Sequence, residues 1–245
     1  MRTFGLIGYP LSHSFSQKYF IEKFQREKIE DAEFKTFSIP SINDVKKIIE
    51  KNDDLKGFAL TIPYKKSIIN FLNEKDFVVE QTQACNCVKI KNNKLIGFNT
   101  DVIGFEKSFM KNLQPHQKKA LIIGTGGGAA AVEFVLKKLQ IGYAFVSRKK
   151  NKKTNVFLYD DLSKEVMQQY QIIINATPVG MYPNINEAPA IPYQYLTSEN
   201  YLFDLIYNPA KTKFLLSGEE KNATIKNGYE MLVIQAEENW KIWNE

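Results

Sequence analysis

The 245-residue sequence predicts a mixed α/β protein of two domains, and three observations carry that prediction. Over the first hundred residues short apolar runs alternate with longer amphipathic ones. Near residue 118 a second unit opens with an apolar strand, a glycine-rich loop and a helix-like stretch. The length leaves room for two buried cores. The alternation is a βαβ rhythm, which implies largely parallel sheets covered by helices, with ligands gathering at the carboxyl ends of the strands.

In chain order, residues 4–8, 34–39 and 58–62 read as strands with helical stretches between them. Residues 87–91, the pair Asn92-Asn93 and residues 94–99 read as a hairpin with a two-residue turn. Pairing about that turn sets Asn86 opposite Asn99 and brings Asn86 and Asp101 out at the same end. The second unit reads as a strand over 118–123, the glycine loop, a helix over 132–139, a strand over 141–146 and another over 172–174. If 156–159 is also a strand, the residues before it are too few for a full crossover helix. Tyr229, Leu232, Val233, Ala236, Trp240 and Trp243 fall on one stripe of a C-terminal helix, and Gln235 lies at its margin. The expected boundary is near Asp101 and Val102, giving domains of 1–101 and 102–228, with 229–245 completing the first.

Composition excludes several classes. With 44% hydrophobic and 24% charged residues the chain is neither disordered nor membrane-embedded, and no apolar run reaches the roughly 18 residues of a spanning helix. The N-terminus passes straight into a strand and turn without the apolar region of a secretion signal, so a cytoplasmic location is expected. Cys85 and Cys87 point to one face of a strand, and the only histidines, His13 and His116, stand far away, so reduced thiols and no metal site are expected. The net charge of +6 is scattered apart from the run at 148–153, so no nucleic-acid partner is expected.

Four motifs carry chemistry. Gly124, Gly126 and Ala129, with Gly127 and Gly128 between them, form GxGxxA between strand and helix. The first glycine allows a tight turn, and the second lets backbone approach a pyrophosphate at the helix N-terminus. A plain tight βα turn would use the same residues. A site for NAD would put an acid at the end of the next strand. Here Ser147 is followed by Arg148, Lys149 and Lys152, cations suited to a 2′-phosphate and hence to NADP, or else a solvated loop. In the loop after the first strand, Ser12 and Ser14 can hold a carboxylate, although Ser14 and Gln17 also fit a capping box. After the third strand, Lys65 can donate a proton or hydrogen bond to a carbonyl oxygen. An isolated lysine there is more often simply solvated, but Asp101, otherwise an ordinary helix N-cap candidate, opens a catalytic reading of the two together.

Together these strings resemble the shikimate dehydrogenase family along nearly the whole chain. In order they are GYPLSHS at 8–14, TIPYK at 61–65, ACNCV at 84–88, GFNTD at 97–101, the glycine loop, NATPVGM at 175–181, DLIYNP at 204–209 and MLVIQA at 231–236. The resemblance implies a mostly parallel α/β substrate domain, a Rossmann-like NADP-binding domain and a cleft between them. It implies reversible NADPH-dependent reduction of 3-dehydroshikimate to shikimate, a step towards chorismate and the aromatic amino acids, by a monomer or homodimer. Ser12, Ser14 and Tyr207 would hold the substrate carboxylate, and Thr61, Asn86, Asp101 and Gln235 its hydroxyl side. Lys65 and Asp101 would be catalytic. Thr177 and Gly228 would line the nicotinamide end, and the glycine loop with Arg148 would hold the adenosine phosphates.

The chain also departs from the family pattern. Cys85 and Cys87 replace small apolar and threonine residues, SRKKNK stands where Asn-Arg-Thr is usual, and the segment between Arg148 and Asn175 is short. Two other readings remain: a quinate/shikimate dehydrogenase with broader substrate and cofactor use, and a non-catalytic NADP-binding regulatory protein on the same fold. The latter would be expected to lose Lys65 or Asp101, and both are present.

Overall fold

The computed structural model describes residues 1–11, 15–149 and 155–245. They divide into two compact units, Met1–Thr100 with Gln235–Glu245 and Asp101–Ile234.

The first unit runs β1 (Arg2–Gly8), α1 (Phe15–Glu27), β2 (Ala32–Ser38), α2 (Val45–Glu50), β3 (Leu55–Leu60), β4 (Glu74–Lys75), α3 (Phe77–Thr82), β5 (Cys87–Lys91) and β6 (Lys94–Phe98). Its sheet has the order β2-β1-β3-β5-β6-β4. β1 pairs in parallel with β2 and β3, whereas β5 is antiparallel to both β3 and β6, so the sheet is mixed, with a parallel core. β3 ends at Leu60, earlier than the expected 62: Thr61 N–H still bonds to Ile7 O at 3.0 Å, but Pro63 has no N–H to continue a ladder.

Asn92 and Asn93 both have positive φ, 52° and 59°, as a two-residue hairpin turn requires. The turn fixes the register, pairing Lys91 with Lys94 and Cys87 with Phe98. Asn86 and Asn99 therefore follow as the next opposed pair, and Asn86 N–H bonds to Phe98 O at 3.1 Å.

One face of this sheet buries Phe4, Phe20, Phe34 and Trp243 as an aromatic cluster, with Phe20 stacked on Phe34 at 4.5 Å. The last helix, α8 (Tyr229–Asn244), closes this cluster with its residues from Gln235 on. Trp243 Nε1 donates to Val88 O at 3.0 Å across Gly57, where a Cβ would come within 2.3 Å of the indole. A glycine is required there for the ring to reach the strand.

The second unit comprises α4 (Asp101–Phe109), β7 (Lys119–Ile123), α5 (Gly127–Lys138), β8 (Gly142–Ser147), β9 (Val156–Leu158), α6 (Lys164–Gln169), β10 (Ile172–Asn175), β11 (Tyr201–Asp204), α7 (Lys213–Glu219), β12 (Thr224–Lys226) and the start of α8. Its sheet is parallel throughout, in the order β12-β11-β10-β7-β8-β9. The first strand sits in the middle with three strands to one side and two to the other, the Rossmann order, and the direction of winding reverses between β7 and β10. α5 starts at Gly127, inside the glycine loop, and not at 132. Its first turn is built from glycine and alanine, which carry no apolar period. β9 pairs in parallel with β8, with Phe145 opposite Val156. Residues 148–155 join them, and of these 150–154 lie outside the described residues.

Candidate active site

In the first unit, the loop after β3 carries Thr61 and Lys65. Thr61 O accepts from Tyr64 N–H at 2.9 Å, and the Tyr64 hydroxyl donates to Ile39 O, so the turn is pinned to the end of β2. Lys65 O accepts from Cys85 N–H at 2.7 Å, and Leu60 N–H donates to Asn86 O at 2.8 Å. These bonds bring Thr61, the half-buried Lys65 and Asn86 to neighbouring strand ends. Ser12 and Ser14 lie outside the described residues.

Asn86 is 2% exposed and enters a buried polar network. Its Oδ1 accepts from Thr100 N–H at 2.7 Å, and its Nδ2 donates to Thr100 Oγ1 at 2.9 Å and Gln235 Oε1 at 3.3 Å. Thr100 Oγ1 donates to Asn239 Oδ1 at 2.6 Å, and Asn239 Nδ2 donates to Gln235 Oε1 at 3.2 Å. The amides of Asn86, Gln235 and Asn239 thus fix one another, as buried polar groups must. Asp101 follows Thr100 directly. It opens α4 in the second unit and is itself buried.

Cys85 and Cys87 are buried thiols; Cys85 Sγ donates to Cys87 O at 3.3 Å, and burial pushes the Cys87 thiol well up, so it stays protonated. Among the described residues no group of three or more His, Cys, Asp or Glu side chains could hold a metal ion.

In the second unit, Gly124 has φ +101° and its Cβ would lie 2.7 Å from Thr177 Cγ2. Gly126 caps α5, and a Cβ on it would meet nothing within 4 Å. Gly128 lies under Leu205, whose Cδ2 would be 2.8 Å from an added Cβ. Gly127 begins the helix and Ala129 is buried beneath it. The loop is therefore packed tightly on its sheet side and open above Gly126, at the N-terminus of a twelve-residue helix. That is the cradle a dinucleotide pyrophosphate needs. Arg148 and Lys149 stand exposed just past β8, and the Arg148 charge bears on the Tyr159 hydroxyl. Lys152 lies outside the described residues.

Asn175 and Asp204 end β10 and β11 and are paired in register. Asn175 Oδ1 accepts from Thr177 Oγ1 at 2.7 Å and from Thr177 N–H at 3.1 Å, which shapes the loop after β10. Asp204 is fully buried and receives three hydrogen bonds, from Asn175 Nδ2 at 3.1 Å, Ile206 N–H at 3.0 Å and Thr212 Oγ1 at 2.6 Å. Burial nevertheless pushes its pKa up to about 7, against those three donors. Tyr207 follows Ile206 and is partly buried, which raises its phenol pKa and keeps it a neutral hydroxyl. Gly228 N–H donates to Ile206 O at 3.0 Å, and an added Cβ would meet Leu205 O at 2.2 Å. Thr177, Tyr207 and Gly228 are thereby gathered around two residues, Asn175 and Asp204, that sequence reasoning passed over. Both stand inside the quoted motifs NATPVGM and DLIYNP, and the signal was a polar residue ending each of two apolar strands.

A family model described as the shikimate dehydrogenase substrate binding domain matches residues 6–88. The chain is 35% identical over 258 residues to shikimate dehydrogenase (NADP(+)) of Caldicellulosiruptor saccharolyticus, covering 99% of this chain and 92% of that protein. Shikimate dehydrogenase 1 of Peptoclostridium difficile superposes with a TM-score of 0.86 at 34% identity, over all of this chain and 92% of that one. A shikimate dehydrogenase solved in complex with NADP+ superposes with a TM-score of 0.83 at 30% identity, over 99% of this chain and 90% of that one. With its glycine cradle, its paired strand ends and this near-complete coverage, the chain belongs to the shikimate dehydrogenase family.

Proposed function

We propose that the protein is an NADP-dependent oxidoreductase acting on a CH–OH group, a shikimate dehydrogenase that reversibly reduces 3-dehydroshikimate to shikimate, and that it works as a cytoplasmic monomer or homodimer. The observation that carries this reading is the glycine cradle, open above Gly126 and closed below by Thr177 and Leu205, in a chain of this family. No helix among the described residues is long and apolar enough to cross a membrane.

The residues present fit the cofactor. Gly124, Gly126, Gly127, Gly128 and Ala129 would hold its pyrophosphate, Arg148 with Lys149 and Lys152 its 2′-phosphate, and Thr177 and Gly228 its nicotinamide end. When bound, NADPH supplies the hydride for the substrate's ring carbonyl. Lys65 donates a proton or a hydrogen bond to that carbonyl oxygen as negative charge grows on it, and Asp101 orients the lysine. Ser12, Ser14 and the neutral Tyr207 hydroxyl bind the substrate carboxylate. Thr61, Asn86 and Gln235 position the hydroxyl side, and the buried amide network limits how Asn86 and Gln235 can turn.

The test is the oxidation direction with four substrate and cofactor pairs. Shikimate with NADP+ should give the highest kcat/KM. Comparable turnover of quinate with NAD+ would instead place the enzyme among quinate/shikimate dehydrogenases of broad use, and no turnover with any pair would reject the enzymatic reading.

A further inference from the structure

We propose that Asp204 is a positioning residue for the active site, holding Thr177, Tyr207 and Gly228 in place from a single buried carboxylate. The proposal rests on the roles given to those three residues above. Asp204 ends β11 beside Asn175 at the end of β10, at the carboxyl edge of the parallel sheet where ligands bind. Its Oδ1 accepts from Asn175 Nδ2 and from Ile206 N–H. The first bond sets the orientation of the Asn175 amide. Because a backbone N–H can only donate, Asn175 Oδ1 must face Thr177, where it receives both the amide and the hydroxyl. Thr177 Cγ2 in turn meets the Gly124 turn at the start of the cofactor loop.

The second bond fixes Ile206, the residue before Tyr207 and the one whose carbonyl accepts from Gly228 N–H. The other carboxylate oxygen receives the Thr212 hydroxyl, whose oxygen also caps α7 by accepting from Leu215 N–H. One side chain therefore ties together the loop after β10, the loop after β11 and the approach to α8. A hydrophobic residue would fill the volume without holding any of the three. Asp204's charge reaches the Tyr193 phenol, which burial keeps neutral. The carboxyl's elevated pKa supplies a probe of the arrangement.

The first test uses the wild-type protein and follows its amide resonances from pH 5 to 9. Ile206 bonds the carboxylate directly and Thr177 reaches it only through Asn175, so both should titrate with one common midpoint. Titration of Ile206 with Thr177 unmoved would overturn the relay. The second test measures NADP+ dissociation constants by fluorescence for three variants. Asp204→Ala should weaken binding about tenfold or more. Asp204→Asn should stay within about twofold of wild type, because the amide can accept from Asn175 and Ile206 and donate to the Thr212 oxygen. Met167→Ala, on the buried face of α6, should lower stability and leave binding within about twofold. Wild-type affinity in Asp204→Ala, or equal weakening in Met167→Ala, would overturn the proposal. If Asp204→Ala does not fold, the amide titration decides. A wild-type protein that does not bind NADP+ would instead contradict the proposed function, and the titration would still judge the relay.

Discussion

A Cβ on Gly124 would come within 2.7 Å of Thr177 Cγ2, so the turn that opens the cofactor cradle and the loop that follows β10 are built against each other. Gly126, two residues on, faces open space. The two glycines should therefore fail differently when replaced by alanine. Gly124→Ala combines a positive φ with a clash and should lose about 1–3 kcal/mol of stability together with cofactor affinity. Gly126→Ala should keep wild-type thermal stability and still weaken NADP+ binding about tenfold, because the new methyl would enter the open space proposed for the pyrophosphate. Melting curves with cofactor titrations separate the two, and Gly126→Ala with normal affinity would move the pyrophosphate elsewhere.

If Lys65 and Asp101 form the catalytic pair, Lys65→Ala and Asp101→Asn should each lower kcat by about tenfold or more while the affinity for shikimate changes less, since their interactions would strengthen in the transition state. Steady-state kinetics with binding titrations on the same preparations make the comparison. Near wild-type kcat in Lys65→Ala would remove it from the catalytic pair.

Arg148 stands exposed past the end of β8, and Ser147 supplies no carboxylate to favour the 2′-hydroxyl of NAD. Arg148→Ala should remove a charge-assisted contact of about 1.5–3 kcal/mol, raising the KM for NADP+ about ten- to hundredfold and leaving NAD+ nearly unchanged. Equal losses for both cofactors would show that the arginine supports the fold of the loop.

Much of this was legible in the sequence because local chemistry decided it. Asn92-Asn93 dictated the hairpin and its register, and the strands read at 118–123 and 172–174 pair in parallel as β7 and β10. The end of β3 was misjudged because the apolar run continues through Ile62 whereas its ladder stops before Pro63. The start of α5 was missed because a helix turn of glycines and alanines shows no hydrophobic period. Asp204 was passed over for a different reason: its role depends on Asn175 and Thr212, from separate elements, converging on one buried carboxylate. No spacing rule contains that convergence.

Burial raises the Asp204 pKa from 3.8 to about 7, so between those values the folded protein holds a proton that the unfolded chain releases. The resulting stabilisation is complete below the lower value and is lost as pH rises through the higher one. Asp204→Asn has no such titration. Relative to wild type, the variant should therefore gain about 3 kcal/mol between pH 5 and pH 8. Hydrogen exchange of the β10 and β11 amides reads this in the unit that contains Asp204. A difference that stays flat with pH would mean that the carboxyl ionises in its ordinary range.

Purified protein incubated with NADPH and 3-dehydroshikimate should consume absorbance at 340 nm in step with shikimate formation, without added metal. The rate should persist after treatment with a chelator and fall about tenfold or more in Lys65→Ala. No NADPH consumption by the wild-type protein, or activity abolished by the chelator and restored by zinc, would overturn the proposed metal-independent reduction.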